Sequence, residues 1–194
     1  MKGSNLHKPL EGVASRSGNC FTIQSRAYRL LWNFAYALFF RPSPRPFHFW
    51  RRWMLRAFGA KIAGPARIYP NARIWWPAHL VIRGRSGIAD EAWIYNVAPV
   101  EIGHNVVISQ QVMICTASHD YTIPGFPLIA SSIRIDDEAW LAARCFVHPG
   151  VSVGRGCIVG ACSVVVKSLL PWGVYAGNPA IKLKDRQPIH SKGS

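Results

Sequence analysis

The sequence predicts a mainly β chain: a parallel β-helix of six-residue repeats, preceded by a pair of short helices. Three observations carry this. Apolar residues recur at intervals of six between residues 62 and 165. A mostly small residue follows each of them four positions later. The chain ahead of residue 62 is different in kind, basic and aromatic with prolines clustered near its middle.

The clearest block is Ile135, Leu141, Val147, Val153, Val159 and Val165, each followed by one of Ala139, Cys145, Val151, Cys157, Ser163 and Leu169. Earlier blocks run Ile62, Ile68, Ile74, Leu80, then Ile88, Ile94, then Ile102, Ile108, Ile114. Small insertions are expected near 85–87 and 99–101, and an extruded loop at 120–132. A period of six fits neither a 3.6-residue helix nor two-residue strand alternation. It fits a chain that makes a short strand and a corner every six residues, with the apolar residue inward and the small one at the bend. Frequent corners also accommodate 16 Gly and 14 Pro spread along the chain.

The 194 residues suit one domain with a modest extension. A composition 49% hydrophobic and 16% charged excludes a disordered chain. The net charge is +14, unevenly distributed. Residues 1–61 hold 11 Lys/Arg and one acid, Glu11, whereas residues 62–194 hold 12 Lys/Arg and 8 Asp/Glu. No RRM, zinc-finger or helix-turn-helix pattern accompanies the basic region, so a nucleic-acid partner is not expected. The five cysteines, Cys20, Cys115, Cys145, Cys157 and Cys162, include no CxxC pair, which argues against a zinc or redox site of that type. Their odd number and the absence of an apolar leader in the first residues point to a reducing, cytoplasmic compartment.

Residues 1–24 read as a polar arm. Residues 25–58 read as two helices broken at Arg41-Pro42-Ser43-Pro44-Arg45-Pro46, where prolines forbid helix. The apolar run at 28–40 would rise only about 20 Å, too short to span a bilayer. The expected organisation is a basic aromatic N-terminal region (1–61), the β-helix (62–181) and a basic tail (182–194). The N-terminal aromatics are expected to pack on the β-helix and on neighbouring subunits. Arg26, Arg29, Arg41, Arg45, Arg51, Arg52 and Arg56 are expected to face the phosphates of an anionic lipid surface or acceptor.

Three motifs carry a resemblance: Cys115-Thr116-Ala117-Ser118-His119-Asp120, Ile135-Asp136-Asp137-Glu138-Ala139-Trp140-Leu141-Ala142, and Tyr175-Ala176-Gly177-Asn178-Pro179-Ala180. With the hexapeptide register they resemble the hexapeptide-repeat acyltransferases, in particular the galactoside, maltose and nodulation O-acetyltransferases. Phe49-Trp50-Arg51-Arg52-Trp53 and Leu55-Arg56-Ala57-Phe58-Gly59-Ala60-Lys61-Ile62 are similar to the colanic-acid-type acetyltransferases of bacterial polysaccharide synthesis. The resemblance implies a left-handed coil, against the general right-handed preference of crossovers. It also implies transfer of acetyl from acetyl-CoA, as co-substrate, to a sugar hydroxyl, a homotrimer with sites between subunits, and no metal.

On that resemblance His119 is the general base, a role its ordinary pKa near 6.5 suits. Asn96, Trp140 and Asp120 are grouped with the acceptor. Asn96 is equally readable as a turn residue, Trp140 as packing on a coil face, and Asp120 as solvent-exposed. Ala142 and Ala143 line the pantetheine channel. Ala161, Val166 and Lys167 flank the nucleotide end, although Val166 lacks the hydroxyl found in many relatives. Lys184, with Lys182 and Arg186, is available to a phosphate. Two other readings remain: a γ-class carbonic-anhydrase-like zinc protein, disfavoured because no two histidines stand five apart, and a non-catalytic β-helix scaffold.

Overall fold

The computed structural model describes residues 22–187. The expected polar arm up to residue 21, with Cys20, and the last residues of the expected tail lie outside this range. The first element, α1 (Ile23–Ala35), is capped by Thr22, whose Oγ1 accepts from the Ser25 N–H at 3.2 Å. It runs on through one π turn, Tyr36–Phe40, to the proline-rich break, and α2 (His48–Ala57) follows. Both helices fall where the sequence puts them.

The remainder is a left-handed parallel β-helix of about six turns. Its first coil is β1 (Lys61–Ile62), β2 (Arg67–Ile68) and β3 (Arg73–Ile74). The second is β4 (Leu80–Gly84), β5 (Gly87–Ile88) and β6 (Trp93–Tyr95), and the third β7 (Val100–His104), β8 (Val107–Ile108) and β9 (Met113–Cys115). A hairpin, β10 (Ala117–His119) and β11 (Leu128–Ala130), then leaves the coil. Coiling resumes with β12 (Ile133–Ile135), β13 (Trp140–Leu141) and β14 (Phe146–Val147), then β15 (Ser152–Val153), β16 (Ile158–Val159) and β17 (Val164–Val165). Finally β18 (Gly173–Ala176) adds to the stack and β19 (Ile181–Asp185) returns antiparallel to it. Three sheets result. The first face is β1-β4-β7-β12-β15, the second β2-β5-β8-β13-β16-β18-β19, and the third β3-β6-β9-β14-β17.

The inward residues form ladders of like side chains. Ile62, Ile82, Ile102, Ile135 and Val153 stack on the first face. Ile74, Ile94, Ile114, Val147 and Val165 stack on the third. All are at most 7% exposed, and each such burial contributes roughly 1.5–3 kcal/mol. The first insertion differs from expectation. A 3₁₀ turn at Pro77–His79 adds two residues to a corner, so the register resumes at Ile82 and not at Leu80. Leu80 is buried as well, one pleat earlier on β4, and aligns with Val100 and Ile133. The small residue of that corner is therefore Ser86. Two corners repeat a left-handed residue: Arg85, Asn105, Glu138 and Trp172 at one, Glu91, Gln111, Arg144 and Cys162 at the other, with φ between 46° and 62°.

Each coil donates its N–H groups to the carbonyls of the next, as in Ala63 N to Ile82 O at 2.8 Å and Tyr69 N to Ile88 O at 3.0 Å. The matching carbonyls of the first coil have no preceding coil. Side chains of the helices serve them instead. Arg56 Nη2 donates to Ile62 O at 2.7 Å and Arg52 Nη1 to Ala66 O at 2.8 Å. Arg51 Nε donates to Ile68 O at 2.5 Å, and Trp32 Nε1 to Ile74 O at 2.7 Å. Arg51 is completely buried and also donates to Ser43 Oγ, Pro44 O and Arg45 O. Trp32, Phe40, Met54 and Leu55 join the apolar core beneath.

This corrects the expectation for the arginines. Arg51, Arg52 and Arg56 face backbone carbonyls, Arg45 pairs with Asp90 at 3.0 Å, and the Arg29 guanidinium lies 3.1 Å over the Trp75 ring centroid. Arg51, Arg52 and Arg56 are turned toward the protein because the coil edge offers them unpaired backbone acceptors. The expected basic tail is likewise corrected at its start, where residues 181–185 form β19 and cover the last strand. There Lys182 pairs with Asp185 at 2.6 Å, and Arg186 Nη1 reaches Glu138 O and Gly156 O at 3.0 and 2.9 Å.

Arg51→Ala removes a fully buried guanidinium that donates to Ile68 O, Pro44 O, Arg45 O and Ser43 Oγ, and is expected to lower stability by about 3 kcal/mol or more in urea unfolding. Arg83→Ala removes only an exposed pair with Glu101 and is expected to change it by less than about 1 kcal/mol. Equal effects of the two substitutions would contradict the edge-capping role.

Candidate active site

The third coil ends on β9, and the chain there has to leave the solenoid without stranding backbone groups. Thr116 manages the departure. It is fully buried, its N–H and Oγ1 both donate to Tyr95 O at 3.1 Å, and its Oγ1 accepts from the Ala98 N–H at 3.0 Å. Its carbonyl accepts from the Ser131 N–H at 2.8 Å, so the outgoing and returning chains are tied at one residue. The extrusion thus begins at residue 117 and is back on register by β12. The loop expected at 120–132 is a hairpin stem with a tip at 120–127.

His119 is the last residue of β10, opposite Leu128 and exposed. Its Nδ1 lies 2.6 Å from Phe126 O. A carbonyl only accepts, so Nδ1 carries the proton and the neutral ring keeps its lone pair on Nε2. Phe126 presents that carbonyl from a tight turn, with φ at 46° and its N–H on Ile123 O at 3.1 Å. Asp120 follows His119 at the start of the hairpin tip. Its Oδ1 accepts from the Thr122 N–H at 2.9 Å and from Thr122 Oγ1 at 2.6 Å, which holds the tip. Thr116 and Phe126 were missed in the sequence; a Thr at the point where the six-residue register breaks was the available signal for the first.

Asn96 lies one coil below the hairpin, completely buried. Its Oδ1 accepts from Trp76 N at 2.9 Å and its Nδ2 donates to Trp76 O at 2.8 Å. Both ends of the amide are therefore engaged in clamping the neighbouring corner. Trp140 is 45% exposed on the second face, with Nε1 donating to Ser109 Oγ at 3.0 Å. Ala142 and Ala143 occupy the corner between second and third faces, and Ala161 the same corner one coil on, where Cys162 N donates to Ala143 O at 2.9 Å. Val166 and Lys167 are exposed at the other end of the third face, on the edge that also carries His119. Lys184 is exposed on β19. In a single chain the residues thus divide between two edges, with the third face between them. Concavities of about 370, 610 and 540 Å³ are lined by other residues.

Cys115, Cys145 and Cys157 are packing residues. Burial raises the Cys115 and Cys157 thiols above their ordinary range and pushes Cys145 up to about 11. A thiol held protonated is a poor nucleophile. Among the described residues no three His, Cys, Asp or Glu side chains come together as a metal site.

No family model matches the chain. It is 38% identical over 171 residues to WcaF of Escherichia coli strain K12, named as an acetyltransferase of colanic acid biosynthesis, with 88% of this chain and 91% of that one covered. A hexapeptide-repeat acetyltransferase of Vibrio cholerae O1 biovar eltor, complexed with acetyl coenzyme A, superposes with a TM-score of 0.78 at 22% identity, over 96% of this chain and 100% of that one. A galactoside acetyltransferase in complex with coenzyme A gives 0.75 at 21% identity, over 84% and 82%.

Two outcomes are expected from the site's chemistry. Nitrogen-15 NMR of the neutral His119 ring is expected to find the proton on Nδ1; an Nε2–H tautomer would overturn the assignment. Alkylation of the native protein at pH 8, read by mass spectrometry, is expected to label exposed Cys162 well ahead of Cys145, whose thiolate fraction there is on the order of 10⁻³. Labelling of Cys145 at a similar rate would show that its burial is incomplete.

Proposed function

The chain belongs to the hexapeptide-repeat acetyltransferases, as its similarity to WcaF across nearly the full length of both proteins shows, and from that premise we propose that it acetylates a sugar hydroxyl of a bacterial polysaccharide or its precursor, with His119 as general base. The donor substrate is acetyl-CoA. The observation that carries the reading is the state of the His119 ring: Nδ1 is committed to Phe126 O and Nε2 is left with its lone pair at an open position.

A sugar hydroxyl is a weak nucleophile until its proton is removed. Nε2 takes that proton as the oxygen attacks the thioester carbonyl carbon. The resulting imidazolium is held by the Phe126 carbonyl at Nδ1, which steadies the positive charge where it forms. A backbone N–H serves the oxyanion. When the C–S bond breaks, the CoA sulfur leaves with the electron pair, and the proton on Nε2 goes to it. The ester is made and the base is restored.

The separation of His119 from Trp140, Ala142, Ala143 and Ala161 supports a site completed by a second chain. In a homotrimer packed side by side, the hairpin edge of one subunit meets the opposite edge of the next. Trp140 then lines the acceptor side, and Ala142, Ala143 and Ala161 leave room for the pantetheine arm. Val166, Lys167 and Lys184 lie toward the nucleotide, where the lysines pair with phosphate. Asn96 and Asp120, first grouped with the acceptor, we assign as positioning residues, since one clamps the corner at Trp76 and the other the tip of the hairpin.

His119→Ala is expected to lower kcat by about 10²–10⁴ while acetyl-CoA binding, measured by calorimetry, stays within about threefold. Assays would follow CoA release with a panel of sugars and nucleotide sugars. Identical release by the variant would remove His119 from the mechanism and favour a non-catalytic scaffold.

A further inference from the structure

Residues 22–89 contain 12 Lys/Arg and not one Asp or Glu. Several of these arginines donate to carbonyls of the first coil, as described above. A carbonyl satisfies a hydrogen bond but leaves the formal charge uncancelled. The capped end of the solenoid therefore keeps a positive field.

Over this same end runs an apolar strip. Leu30, Leu31, Phe34, Leu38, Phe39 and Trp53 are each 52–73% exposed. Leu30, Phe34 and Leu38 follow one another at four-residue steps along α1 and the π turn, on the side away from buried Trp32. Trp50 Nε1 donates to Phe39 O at 3.0 Å and its ring stacks on Trp53 at 5.0 Å, so α2 continues the strip. Arg26 and Arg41, both exposed, flank it. A continuous patch of this kind on a folded protein marks an interaction surface.

We propose that this end of the molecule docks on an anionic lipid bilayer, with α1, the π turn and α2 lying in the interface and the flanking arginines at headgroup phosphates. Charge selects this occupant over a second copy of the chain, because pairing the face with itself would oppose two ends on which 12 Lys/Arg of residues 22–89 outnumber the acids, Asp90 on Arg45 among them. Position agrees with it. The helices cover the end of the coil stack, which leaves the three faces and the His119 hairpin open beside the membrane. No helix of the described residues is long and apolar enough to cross a membrane, so the contact is peripheral.

The test is sedimentation of the full chain with vesicles of phosphatidylcholine alone and of equal parts phosphatidylcholine and phosphatidylglycerol, at low and high salt. Retention is expected on the anionic vesicles at low salt, and about tenfold or more weaker on the neutral ones. A Leu30→Ser/Phe34→Ser/Leu38→Ser variant is expected to lose retention about tenfold or more while melting like the parent. Arg26→Gln/Arg41→Gln changes two exposed side chains and is expected to weaken it about tenfold while melting like the parent, so it tests the proposal even where the triple variant folds poorly. Absence of retention, equal retention by both variants, or a smaller oligomer from the triple variant in lipid-free buffer would overturn the proposal, the last by placing the strip between copies. None of these readings depends on acetyl transfer.

Discussion

A parallel β-helix is stable only where every coil has a neighbour, and its first coil has none on one side. Carbonyls there face away from the stack, and burying them without donors would cost about 1–3 kcal/mol each. Exposing them would offer an open edge to any passing strand. This chain answers with guanidinium and indole donors from two helices: Arg56 on Ile62, Arg52 on Ala66, Arg51 on Ile68 and Trp32 on Ile74. Much else follows from that solution. The aromatic and aliphatic side of the helices must sit on the first coil, the proline-rich break must wrap around the Arg51 head, and the outer side of α1 is left facing away. The far end is closed differently, by β19 folding back on β18.

The repeating interior was legible because one rule, an inward apolar residue every six positions, is enforced by steric exclusion coil after coil. The register failed only at Leu80. There the chain carries two buried apolar residues two positions apart, Leu80 and Ile82, and both are inward on the same strand. Spacing alone cannot choose between them; the extra corner turn at Pro77–His79 does. The arginines were misread for a different reason. Sequence reports the sign of a side chain's charge but not whether an unpaired carbonyl waits nearby, and the arginine donors stand 6, 14 and 17 positions from their acceptors.

In the candidate site, His119 was legible from its motif and from its position where the register breaks. What fixes its ring was not. The acceptor for Nδ1 is a main-chain carbonyl, so the identity of Phe126 carries no signal; only the Pro124-Gly125 turn before it, with Gly125 at φ 86°, could be read in the sequence. Asn96 was recognisable as polar in an apolar corner, yet its direction depends on the Trp76 backbone brought beside it by the preceding coil. Asp120 illustrates the local alternative. Its Oδ1 accepts from the N–H and the hydroxyl of Thr122, two positions on, a common fate of Asp in a turn.

The division of the site residues between two edges has a geometric cause. Corners repeat on each coil, so residues six apart in register occupy different edges, and only those a full coil apart share one. His119 and the alanines at 142, 143 and 161 belong to different corners and no side-chain rotation moves them together. A solenoid of this width can join two edges in one site only by setting one copy's edge against another's. The same rigidity that stacks isoleucine on isoleucine therefore keeps these two edges apart within one copy, and it leaves the ends of the coil, with their helices and uncancelled charge, away from both.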